Sequence, residues 1–214
     1  MSVVGFRVSG AKPVLNAMAP TLAFDLDVEA AEGRHVQGLL LSVQVRIEAH
    51  RRHYTEEEGE RLTELFGERA RWPQTMRPFV WAHATATSGA FEGETRIALH
   101  VPCSYDLEIS AAKYFHALDA GAIPLLFLFT GTVFARGDGG ELEIGRVSWD
   151  QEARHELPTS TWRALMDAHW PDAGWLRLER DTLNALLRFK ARRAVPNWDS
   201  AMKALLEAAG EDST

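Results

Sequence analysis

Leu41-Ser-Val-Gln-Val-Arg-Ile-Glu48 decides the fold class, because Leu41, Val43, Val45 and Ile47 alternate with Ser42, Gln44, Arg46 and Glu48. A side-chain period of two puts the apolar residues on one face of a strand and the polar ones on the other. A strand with one wet face belongs to an antiparallel sheet laid over a core. The same alternation appears upstream, where Phe24, Leu26 and Val28 interleave with Asp25, Asp27 and Glu29. Downstream, strands are expected at Phe79 to Thr87, Phe91 to Val101, Ser104 to Ile109, Ile123 to Ala135 and Glu141 to Val147. Ser88-Gly89 and Gly137-Asp-Gly-Gly140 supply the positive φ angles of tight hairpins. The glycine cluster lacks the spacing of a phosphate loop and precedes a strand, so a hairpin is its better reading.

Helical signals interrupt and then follow the strands. Thr55 three residues before Glu58, with Leu62, Leu65 and Phe66 beyond and Gly67 as a stop, reads as a capped surface helix. A second is expected near Ala111 to Leu118. After Asp150, Trp162, Leu165, Met166 and His169 share a helical face, then Leu183, Leu186, Leu187 and Lys190, then Met202, Leu205 and Leu206, with breaks at Pro171 and Pro196. The expected class is α+β, an antiparallel β-sandwich or curved sheet followed by a C-terminal helical subdomain. Residues 1–21 are expected as a flexible N-terminal arm, 22–150 as the β-rich domain and 151–214 as the helical region.

At 214 residues, with 46% hydrophobic and 25% charged side chains, the composition is that of a globular protein. The N-terminus lacks the order of a secretory signal, no apolar run reaches the ~20 residues of a membrane span, and Cys103 has no disulfide partner. The expected location is therefore cytoplasmic, with no membrane partner. A net charge of −7 argues against wrapping nucleic acid over the whole surface.

The search for chemistry returns no motif. His50 and His53, and His100 and Cys103, are pairs three apart; a divalent ion needs three or four converging ligands. A metal-dependent enzyme would require these four groups to meet. Otherwise the histidines are solvated and Cys103 packs as a small hydrophobe. Asp25 with Asp27, and Asp106 with Glu108, share strand faces, as glycosidase carboxylates do and as ordinary wet faces do. No catalytic, cofactor-binding or metal-ligating residue is assigned, and no cofactor is expected.

One stretch stands apart in charge. Trp175 to Val195 carries Arg177, Arg180, Arg188, Lys190, Arg192 and Arg193 against Glu179 and Asp181, a local +4. Trp175-Leu-Arg-Leu-Glu-Arg alternates as a short strand, Asp181 can cap a first helix, and a second begins at Asn197 to Ser200 and ends near Gly210. Strand, helix, turn and helix in this order resemble the ribbon-helix-helix repressors, which implies Trp175, Arg177 and Glu179 outward and Leu176 and Leu178 inward. Five of seven tryptophans, Trp149, Trp162, Trp170, Trp175 and Trp198, lie beyond residue 148. They serve either to dock helices on the sheet or to anchor a partner. The candidate partner-binding residues are Trp162, Trp170, Trp175, Arg177, Arg188, Lys190, Arg192 and Arg193.

Five phrases, Val45-Arg-Ile-Glu, Leu65-Phe-Gly-Glu-Arg, Val101-Pro-Cys-Ser-Tyr-Asp-Leu-Glu, Ile123-Pro-Leu-Leu-Phe-Leu-Phe-Thr-Gly-Thr-Val-Phe and Phe189-Lys-Ala-Arg-Arg, resemble a bacterial domain-of-unknown-function family. That resemblance implies association with operons for nickel–iron hydrogenases and brings no catalytic residues with it. The expected function is a non-enzymatic accessory or protein-binding protein, its partner a component of a hydrogenase-type redox enzyme under assembly. The alternatives are a DNA-binding regulator using Trp175 to Gly210 and the metal-dependent enzyme above.

Overall fold

The computed structural model describes residues 4–104, 106, 109–137, 139–171 and 176–210. Two compact units divide the chain, the first ending at Trp175 and the second running from Leu176.

Among the described residues, nine antiparallel strands build the first unit: β1 (Val4–Pro13), β2 (Thr21–Ala30), β3 (His35–Ile47), β4 (Phe79–Ser88), β5 (Phe91–Glu92), β6 (Glu94–Pro102), β7 (Ala122–Arg136), β8 (Leu142–Arg146) and β9 (Glu152–Pro158). One sheet has the order β1-β2-β6. The other has the order β4-β3-β7-β8, with β5 on β3 and β9 on β7. β6 runs beside β4 and β1 beside β9, so the sheets approach each other along both margins of a flattened sandwich.

The core is the set of inward residues that the alternation marks. Leu41, Val43, Val45 and Ile47 of β3 and Phe24, Leu26 and Val28 of β2 are all 3% exposed or less. Each such aliphatic or aromatic side chain contributes about 1.5–3 kcal/mol on leaving water. Across the sandwich Phe6 stacks on Phe129 with centroids 4.4 Å apart, and Phe24 meets Phe127 edge-on at 5.1 Å. At Gly131 an added Cβ would lie 2.1 Å from the Leu40 carbonyl oxygen, so the β3–β7 ladder admits no side chain there.

Three expectations are corrected. Val4–Pro13 is no loose arm: it pairs with β2 along its length and buries Val4 and Val8, because Phe6 and Val8 complete a core face. The sandwich unit also extends past Asp150, since β9 pairs with β7 and α5 (Thr159–His169) packs on β1 and β9. Ser104 and Asp106 are not in a strand, and Tyr105, Leu107 and Glu108 lie outside the described residues.

Where β3 ends and β4 and β7 begin, the chain inserts a helical segment: α1 (Glu56–Arg61), α2 (Thr63–Phe66) and α3 (Trp72–Thr75), with 3-10 turns at Ala49–Arg51 and Arg69–Arg71. Thr55 caps α1 in the expected capping box with Glu58. Phe66, Trp72 and Phe79 join Tyr114 and Phe115 of α4 (Ser110–His116) in one aromatic cluster.

The second unit contains α6 (Arg180–Arg192) and α7 (Trp198–Ala209). Pro196 stops any continuation of α6, the Asn197 side chain accepts the Ser200 N–H at 2.8 Å to start α7, and Gly210 ends it in the left-handed region at φ 81°.

Candidate partner-binding surface

The second unit has little interior. No residue of α6 is buried, and on α7 only Ala201 is. Leu186, Phe189, Ala204 and Leu205 are half-buried where the helices meet, whereas Leu176, Leu183, Leu187, Trp198 and Leu206 are exposed. Some of its cations are turned inward on the unit itself. Lys190 donates to the Pro196 carbonyl at 3.1 Å and lies 5.8 Å from the Trp198 ring centre, and the Arg193 guanidinium covers Phe189 at 5.2 Å. Both contacts hold the link between the helices. Lys203 pairs with Asp199 one turn away. Among the described residues, Arg177, Arg180, Arg188 and Arg192 take part in no ion pair.

The sequence candidates therefore separate. Arg177, Arg188, Arg192 and Arg193 are exposed on the second unit, and Lys190 is half-buried there. Trp162 lies in the sandwich core, 3% exposed, packed edge-on to Phe115 and His116, which is a docking role. Trp170 is half-buried against the same core. Trp175 lies outside the described residues. Of the ribbon strand expected at Trp175 to Arg180, the described residues 176–179 have no ladder partner among the described residues, and Arg180 already opens α6. Glu179, not Asp181, occupies the N-cap position of α6. The helical spacing predicts Leu183 and Leu187 as part of a packed stripe, but both are exposed, because burial depends on a neighbour that the pattern does not name.

Two buried polar clusters of the first unit join separate segments, while other buried polar atoms, Ser88 Oγ and Trp162 Nε1 among them, have no hydrogen-bond partner among the described residues. Glu58, 2% exposed, accepts from Arg52 at 2.6 Å and from the Asp119 N–H at 2.8 Å, while Arg52 also donates to the Ala120 carbonyl. Tyr54 donates to the Ala49 carbonyl at 2.6 Å and shares a 2.7 Å hydrogen bond with Tyr114. Burial pushes the Tyr54 hydroxyl up to about 12 and Tyr114 higher, so neither supplies a phenolate near neutral pH. The network ties the helical insertion to the segment before β7. Glu48 does the same for β9. Although burial opposes ionisation, hydrogen bonds from Arg51 at 2.9 Å and Arg154 at 3.1 Å hold its carboxyl below the ordinary range.

Among the described residues, no three His, Cys, Asp or Glu side chains gather as ion ligands, so His50, His53, His100 and Cys103 do not converge. Cys103 is buried, and burial raises its thiol to about 12, far from a nucleophile's range. An open groove of about 330 Å³ lies along β1 and β2. Its Asp27 is already engaged by Arg96 at 2.6 Å and Arg7 at 3.1 Å. Among the described residues, no helix is long and apolar enough to cross a membrane.

Residues 1–214 match the Family of unknown function (DUF6084). The chain belongs to that family. A search of curated proteins gave no match. A crystal structure of a β-glucosidase from Kluyveromyces marxianus is similar at TM-score 0.25 and 11% identity, covering 73% of this chain and 15% of that one. The chain thus spans under a sixth of that enzyme, and a likeness so distant carries no argument.

Proposed function

We propose that this member of the family is a protein-binding accessory protein whose second unit engages the partner. The observation that carries the reading is α6: thirteen residues of amphipathic helix without one buried side chain. Helices this short are marginal alone in water, and units of about forty residues usually need an added constraint or a partner. The second unit has 39 residues and the chain has no second cysteine for a disulfide. A sandwich in which Glu48, Tyr54 and Glu58 tie separate segments together supports the same reading, since it offers a firm carrier. The resemblance in the sequence adds the setting, assembly of a hydrogenase-type redox enzyme.

The test is affinity purification of the tagged full chain from its native cell. A stoichiometric protein should accompany it, and Leu183→Asp with Leu187→Asp should cut the recovered amount at least about tenfold, equivalent to 1.4 kcal/mol of binding. Repeated recovery of the chain alone would contradict the reading. A partner unrelated to a hydrogenase-type enzyme would keep the binding role and remove that setting.

A further inference from the structure

β8 is the last strand of its sheet. β7 holds it on one side, and among the described residues no strand pairs with its other side and no backbone hydrogen bond reaches it there. A strand paired on one side only leaves alternate N–H and C=O groups turned outward, a template for a further strand. Cross-strand partners share a face, so Leu142, Ile144 and Arg146 lie on the outer face beside Arg136, Phe134 and Thr132, with Glu143 and Gly145 on the inner one. Leu142 and Ile144 are 59% and 68% exposed.

The inner side of this edge holds a cavity of about 250 Å³, lined by Arg34, Val133, Ala135, Glu143, Ile144 and Gly145. Gly145 keeps it open, since an added Cβ there would meet nothing within 4 Å. Arg34 donates to Glu143, so the two charges at the cavity neutralise each other and an apolar side chain suits the space. The outer face is not balanced in this way: Arg136 and Arg146 take part in no ion pair or hydrogen bond among the described residues. An added strand therefore meets alternating demands, a carboxylate opposite Arg146 and an apolar residue opposite Ile144 outside, and a large apolar residue opposite Gly145 inside. A second copy repeats the arginines and brings no carboxylate on the outer face of its β8. Nucleic acid would meet the arginines and leave the backbone edge, Leu142 and the cavity unused.

We infer that β8 is a docking edge at which an extended acidic segment of a partner protein adds to the sheet as a further strand, a site on the first unit that does not depend on the role of the second. The probe is a labelled synthetic peptide of about ten residues, the length of a full strand, with glutamate and valine alternating on one face and leucine on the other. Its controls are the same peptide with lysines for glutamates, two forms N-methylated at alternate amides in opposite phase, and a duplex DNA. In anisotropy titrations of the full chain the glutamate peptide should bind at least about tenfold tighter than the lysine peptide, with the gap narrowing as salt rises. N-methylation should abolish binding in one phase and spare it in the other, because only one edge of the added strand meets β8. Gly145→Leu fills the cavity and should weaken binding at least about tenfold with circular dichroism unchanged. Arg146→Glu, at an exposed side chain, should turn the preference toward the lysine peptide and carries the test if Gly145→Leu disturbs the fold. Leu183→Asp with Leu187→Asp should leave peptide binding as it is, which separates this site from the one proposed above. No binding, equal affinity for the two peptides, methylated forms that behave alike, an unaltered preference in Arg146→Glu, or tighter binding to the duplex would overturn the inference. So would a dimer in sedimentation that Ile144→Asp dissociates, since a second copy would then cover the edge.

Discussion

Strand β7 and helix α6 are similar in length, fifteen and thirteen residues, and opposite in fate. β7 lies between β3 on one side and β8 and β9 on the other and buries Ile123, Leu125, Phe127, Phe129 and Val133 almost completely. α6 carries three leucines and a phenylalanine and buries none of them. Apolar content is therefore not what separates the two. β7 is flanked on both sides by strands of the same chain, whereas among the described residues of its unit α6 has only α7.

The contrast yields mutations of unequal cost. The largest effect belongs to the sandwich, where Phe127→Ala should lower unfolding free energy by about 3–5 kcal/mol, the range for a lost core aromatic. Leu187→Ala, at an exposed position of α6, should stay within about 0.5 kcal/mol. Urea unfolding followed by tryptophan fluorescence compares the two, and similar costs would erase the distinction.

Next comes the buried pair. Glu58→Gln leaves Arg52 desolvated without its counter-charge, and breaking such a pair costs about 3 kcal/mol. Arg52→Met with Glu58→Met should recover much of that loss, a result that separates a joining role from a catalytic one. The helix cap is smaller still. Asn197→Ala should remove about 1 kcal/mol from α7. This should appear as lost helical circular dichroism while the sandwich transition stays in place.

The smallest effect is a pH dependence confined to the sandwich. Burial lowers the pKa of His116 and His155; Arg163 lowers His116 further, while a hydrogen bond to the Val8 backbone and nearby Glu156 partly offset the shift at His155. Between the folded pKa and the unfolded value of about 6.5, the unfolded chain binds more protons. The stabilisation is thus complete above pH 6.5 and falls as pH drops through it. His155→Gln should flatten that fall between pH 7 and 5, and an unchanged slope would place the acid sensitivity elsewhere.

Much of this contrast was legible in the sequence. The alternations at Leu41 to Glu48 and Phe24 to Glu29 are local patterns, so their strands and inward faces could be read directly, as could the Thr55–Glu58 capping box. The Val4–Pro13 strand was hidden by Gly5, Gly10 and Pro13, residues common in loops, and by the bulge between Val8 and Gly10 that breaks its period. The Arg52–Glu58 contact and the Glu48 cluster depend on residues up to 106 positions apart, a distance over which periodicity carries no information. For the candidate surface, the arginines and the helical stripe were legible. The separation of buried Trp162 from exposed Leu183 and Leu187 was not, because both show the same helical spacing and differ only in what packs against them.

Native-state hydrogen exchange on the full chain tests the difference between the two units most directly. Amides of β3 and β7 should exchange only with global unfolding, while those of α6 exchange far faster and become protected when the recovered partner is added. Amides of α6 as slow as those of β7 in the chain alone would contradict the claim that this helix waits for a partner.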